Sequence, residues 1–289
     1  MNVTIEISGT SIEGLSGGIS QNAARSYQYL LIRLLLGTVK VSRGGTRSKQ
    51  IMDYSSLPAT VQTMKPADAV RDFLMSYSIG GSVNRLIKVT RVDNREFYKE
   101  ILSEFLNFQI QTARGSNTGA FVFLYRILER ISYSVPLLYA STQSDFRDTF
   151  KDLRSILNAD MKGELGMFKK FLDKGRFIES IKLCVAQNIS FANLGGHGAD
   201  YYKLTCDRFK RFVSKDPNAH ELEIKFLDIP DFLITIRNRF FHSLTGDEKN
   251  NITTIEMPDS DEYFGRINPV ISSFLAIVAL QSIASKYRT

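Results

Sequence analysis

Apolar and polar residues change period along this chain, and the change divides it. "NVTIEIS" (Asn2–Ser8) alternates at period two and predicts a strand, and "TVKVSR" (Thr38–Arg43) predicts another. Between them "NAARSYQYLLIRLLLG" has helical spacing and is ended by Gly37. From Asp93 onward long helical runs take over. "DNREFYKEILSEFLNFQIQTA" opens with an Asp or Asn cap and carries acids in its first turns. "NTGAFVFLYRILERISYSV" follows a short Gly/Ser break and should stop near Pro136. Further helices are expected at Ser144–Leu157, Leu165–Asp173, Phe177–Gln187 and Ala199–Val213. "LEIKFL" (Leu222–Leu227) and "NITTIEM" (Asn251–Met257) read as short strands on either side of one more helix, and a last helix spans Asp261–Ser285. The pattern predicts a mainly α protein with a mixed α/β N-terminal portion, residues 1–92, ahead of a helical domain, residues 93–289.

Composition adds a partner to this outline. With 43% hydrophobic and 23% charged residues, the chain can bury a core and is not of the disordered class. A net charge of +7 favours ligands bearing phosphates or acidic lipids. Cys184 and Cys206 lack metal or redox spacing and read as reduced core residues of a cytoplasmic protein. "MNVTIEISGT" has no secretory pattern, and "VISSFLAIVALQSIA" (Val270–Ala284) is too short and serine-rich for a membrane span. A buried helix, and no membrane, is the expectation there.

Several chemistries find no motif. There is no GxxxxGK[ST] loop, and His197, His220 and His242 offer no i, i+4 metal pair. Asp200 and Asp207 near His197 read as solvated acids on a helix, so neither a metal nor another cofactor is expected. Basic residues cluster in two settings. "SRGGTRSKQ" is a glycine-rich loop with Arg43, Arg47 and Lys49, either a phosphate-tracking loop or a solvated hairpin tip. "MFKKFLDKGRF" and "DRFKRF" interleave Lys169, Lys170, Arg208, Lys210 and Arg211 with phenylalanines, a mixture suited to phosphate contact and base stacking or to a helix with one buried face.

The sharpest constellation is "RNRFFH", Arg237–His242. Pro230 and Asp231 suit the first turn of its helix and Gly246 its end, while Phe232, Leu233, Ile236, Phe240 and Leu244 form a core stripe. At about 100° per residue, Asn238 and His242 lie roughly 40° apart, and Arg237 can swing its long side chain toward the same opening. Histidine exchanges protons near neutral pH, and the arginine fork bonds two phosphate oxygens at once. Together they fit metal-independent cleavage of RNA, with Asn238 orienting the histidine or the scissile phosphate and Arg239 as a further RNA contact. An acid in "YRILER" (Arg126, Glu129, Arg130) could hold either residue if that helix packs nearby.

This string resembles the R-φ-x3-H signature of the HEPN superfamily, and its place before a short connector and a terminal apolar helix is similar too. The resemblance implies a HEPN-like helical bundle, a homodimer with two motifs facing across a cleft, and a metal-independent endoribonuclease. It implies catalytic roles for Arg237 and His242, support from Asn238, and a toxin or antiphage setting with a possible antitoxin or other regulatory protein. The alternative is a non-catalytic HEPN-like module that binds RNA or protein.

Overall fold

A computed structural model describes residues 3–15, 25–53, 60–61, 70, 73–75, 83–157, 168, 170–172, 186–194, 196–216, 220–241 and 251–287. The N-terminal strands β1 (Val3–Ile7) and β2 (Thr10–Leu15) turn at Ser8 and Gly9, whose positive φ values of 54° and 69° suit a tight hairpin. A second hairpin, β3 (Lys40–Arg43) and β4 (Thr46–Lys49), turns at Gly44 and Gly45. The strands form one antiparallel sheet in the order β1-β2-β3-β4. "SRGGTRSKQ" is therefore mostly strand: two glycines supply the whole turn, and the basic residues around them pair in register. Short strands β5 (Met52–Asp53) and β6 (Thr60–Val61) form a separate pair.

Helix α1 (Tyr27–Leu35) is capped by Ser26, whose hydroxyl accepts from the Tyr29 amide. It ends at Gly37, where the Thr38 amide reaches back to the Arg33 carbonyl. Eight of its nine residues are buried, so α1 lies inside the protein. Helix α2 (Val83–Thr90) packs against it, tied by a 2.6 Å hydrogen bond between the Ser26 and Thr90 hydroxyls.

The centre is three long helices: α3 (Arg95–Ala113), α4 (Asn117–Thr142) and α8 (Ser260–Tyr287). α4 packs along both others, and α1 and the β3–β4 hairpin lie on α3. α8 is long and apolar enough to cross a membrane, but 89% of its most apolar window is buried within the protein. It is seated by side chains at its start. Asn117 donates to the Asp261 carbonyl at 2.9 Å, the Thr118 amide to the Asp261 carboxylate at 2.6 Å, and Asn268 to the Asn117 carbonyl at 2.8 Å. Pro136 does not end α4, which runs six residues past it. Val135 and Tyr139 on either side are buried, and that packing outweighs the lost backbone bond.

The remaining elements are α5 (Phe146–Leu157), β7 (Ala186–Ser190), α6 (Gly198–Arg208), β8 (Val213–Asp216), β9 (Glu221–Lys225), a 3-10 turn at Phe226–Asp228 and α7 (Ile229–Phe241). β7, β9 and β8 form an antiparallel sheet in that order. Three expectations are corrected here. Ala186 and Gln187 are strand, paired with Lys225 and Ile224, and not the end of a helix. The helix expected to Val213 stops at Arg208, because Phe209 turns into the core and Val213 pairs with Ile224. "NITTIEM" is a turn. The Thr253 amide donates to the Glu256 carboxylate at 2.9 Å and the Glu256 amide to the Thr253 hydroxyl at 3.3 Å, a reciprocal pair that satisfies locally what a strand would need from a neighbour. The architecture is mainly α with small antiparallel sheets.

Candidate functional site

α7 forms because Pro230 and Asp231 sit in its first turn and Phe232, Leu233 and Ile236 bury one stripe completely. Its last turn is fixed by aromatic packing. Phe241 stacks on Phe121 of α4 with ring centres 5.6 Å apart and planes at 5°, and Phe240 meets Phe264 of α8 edge-on at 5.2 Å. The residues between the stripe and this aromatic anchor have fixed directions.

Arg237 leans toward α4. Its guanidinium lies 4.8 Å from the centre of the Tyr125 ring, and its Nη1 donates to Asn238 Oδ1 at 2.9 Å. Asn238 is exposed and Arg237 half-buried. Among the described residues no carboxylate comes within ion-pair distance of Arg237. Tyr125 has its phenol pushed above the usual range, first by burial and then by the neighbouring Glu129 carboxylate, while the Arg237 charge pulls the other way. Of the three "YRILER" residues, Glu129 alone serves this side. Arg126 and Arg130 turn to α3, where both pair with the buried Glu104 and Arg130 also bonds Glu100. Burial lifts the Glu104 carboxyl above its ordinary range, against the pull of the two arginines.

Arg239 takes the opposite side of the helix. It donates to the Arg208 carbonyl, and its guanidinium lies 5.3 Å from the Phe209 ring. Arg208 in turn pairs with Glu256 at 2.6 Å. Hydrogen bonds from Thr253, outweighing some burial, hold the Glu256 carboxyl below its ordinary range. Beside this pair opens a cleft of about 540 Å³ that gathers His197, Asp200, Lys203 and Asp207. Among the described residues no three His, Cys, Asp or Glu side chains converge as a metal-holding group. The roomier cleft, about 640 Å³, lies at the far end of the α3–α4 pair, between Tyr98, Leu137 and Lys286.

The structure thus brings Arg237 together with Asn238, and Arg208 with Arg239. Lys210 and Arg211 are exposed beyond α6, with Arg211 over its neighbour Phe212. Lys170 is exposed on a helical segment, and Arg43, Arg47 and Lys49 gather on the β3–β4 hairpin. His242, Lys169, Cys184, Leu244 and Gly246 lie outside the described residues. Sequence reasoning missed Tyr125, whose only signal is an aromatic four residues before Glu129 on the helix that faces α7.

No protein-family profile, no curated protein and no solved structure matches this chain.

Proposed function

We propose that this protein is a metal-independent endoribonuclease of HEPN type, a cytoplasmic homodimer in which two copies of Arg237 and His242 line one cleft. The observation that carries the reading is the setting of Arg237. Among the described residues it meets no carboxylate, and it is steered by the face of Tyr125 and the amide of Asn238. Neutral partners fix its direction and leave its full charge for a phosphate.

In this reading the ribose 2′-oxygen attacks the adjacent phosphorus as one histidine takes its proton. The bond to the 5′-oxygen breaks as His242 of the partner subunit returns a proton to it. The products are a 2′,3′-cyclic phosphate and a 5′-hydroxyl. Arg237 stabilises the charge that builds on the phosphorane, and Asn238 holds Arg237 in direction. A toxin or antiphage role, under control of an antitoxin-like protein, follows from the same resemblance.

The test compares wild type, Arg237→Ala and His242→Ala on mixed structured and unstructured RNAs with EDTA throughout. Loss of the histidine should lower cleavage by on the order of 10²–10⁴-fold with the fold intact. Equal cleavage by all three proteins would remove the site from consideration. RNA binding without turnover by wild type would make the protein a non-catalytic module.

A further inference from the structure

The outward face of the β3–β4 hairpin collects positive charge that nothing in the fold requires. Directly opposed residues of an antiparallel pair share a face, and the register sets Lys40 opposite Lys49 and Ser42 opposite Arg47. Lys40, Arg47 and Lys49 therefore stand on one face, and all three are exposed. Like charges directly opposite each other destabilise a strand pair. Among the described residues no carboxylate forms an ion pair with any of them. Glu13, opposite Lys40, accepts instead from the Ser42 hydroxyl at 3.2 Å, and Glu6 lies opposite Ser11, so the acids keep to the β1–β2 half of the face.

Two further cations close the hairpin end, with neutral acceptors alone among the described residues. Arg43 donates to the Asn107 side chain at 2.6 Å, and Arg114 donates to the Thr46 hydroxyl at 3.1 Å and the Arg43 carbonyl at 3.2 Å. Gly44 leaves room for Arg114, whose Nη2 would lie 3.4 Å from a Cβ built there. Arg47 and Lys49 are two residues apart on a strand, a separation of about 6.8 Å that is close to the step between successive phosphates of one nucleic-acid strand. Sheet rows on this face carry Ser11, Ser42, Glu6 and Glu13 besides the cations, with no aromatic ring to stack a base, and the exposed Ile51 lies just past the end of β4. Arg114 directly follows α3, and Phe121, which carries Phe241, lies in the first turns of α4, so hairpin and motif helix meet the same end of the α3–α4 pair.

We propose that the β3–β4 hairpin is a sequence-independent docking track for the phosphate backbone of single-stranded RNA, with Lys40, Arg47 and Lys49 each meeting a phosphate. It takes RNA as the partner from the reading above and does not depend on cleavage. The experiment measures binding of a uridine oligonucleotide in EDTA between about 50 and about 200 mM salt, all in the non-cleaving His242→Ala background. Adding Lys40→Gln, Arg47→Gln and Lys49→Gln should lower the slope of log affinity against log salt by about 2, three contacts at roughly 0.7 each. A variant with Lys40→Arg and Lys49→Arg should keep the slope, which separates loss of charge from loss of fold.

An unchanged slope in the triple variant overturns the track. If the triple variant also self-associates, the cations only guard an edge strand. If it instead loses binding to phosphatidylserine vesicles, the face meets membranes and not RNA. An unchanged slope with cleavage by wild type would sink the track and leave the nuclease reading. A reduced slope with no cleavage by wild type would do the reverse.

Discussion

Arg33 takes its charge into the core, only 2% exposed, and meets no carboxylate there among the described residues. Its fork donates to the Thr38 hydroxyl and carbonyl, the Tyr29 hydroxyl and the Gly14 carbonyl, and so ties α1 to β2 and to the start of β3. Arg33→Met keeps most of the volume but strands these acceptors, and should cost on the order of 3 kcal/mol in urea unfolding. A change below about 0.5 kcal/mol would show that the fork is dispensable. An arginine inside "LLIRLLL" is legible in the sequence, but two of its four acceptors, the Gly14 and Thr38 carbonyls, are backbone groups, which no side-chain pattern encodes. The same limit governs the candidate site. Arg237 and Asn238 can be read from spacing, whereas Tyr125 depends on how two distant helices cross. Glu129 and Arg126 differ by three positions on α4 yet serve different neighbours, a distinction made only by packing.

At the scale of elements, Gly198 opens α6 against the end of β7. A Cβ placed on it would lie 2.5 Å from the Phe191 carbonyl oxygen, a backbone atom that cannot swing aside. Helix propensity alone says that Gly198→Ala gains up to about 1 kcal/mol. Overpacking costs about 1–3 kcal/mol, so the substitution should lower the melting temperature, and a rise would mean that α6 can slide along the sheet. Strong periodicity made α1, α3, α5, α8 and the start of α7 legible within a few residues. The failures have physical causes. Pro136 reads as a stop until the apolar residues around it are seen to be buried. "NITTIEM" alternates as a strand should, but Thr253 and Glu256 bond each other's backbone and close a turn. β7 and β8 are short and polar, and become strands only because β9 lies between them.

The whole molecule should feel the perturbed carboxylates Glu104 and Glu256 with opposite sign. Burial raises the Glu104 carboxyl, so its contribution favours folding below the ordinary glutamate range and is lost as pH rises through the folded value. Hydrogen bonding lowers Glu256, whose stabilisation is present above that range and is lost as pH falls through its folded value. Measured between pH 4 and 7, Glu104→Gln should therefore gain stability relative to wild type as pH rises, and Glu256→Gln should lose it. Parallel curves for the two variants would contradict the assigned causes.

The position of α8 has a bearing on synthesis. Every other described element leaves the ribosome before it, yet α8 fills the centre of the core and packs along α4 and beside α1 and β7. Until its last turns emerge, the faces of α4 and α1 that it covers have no cover. The nascent chain therefore keeps those apolar faces open until α8 itself has been made.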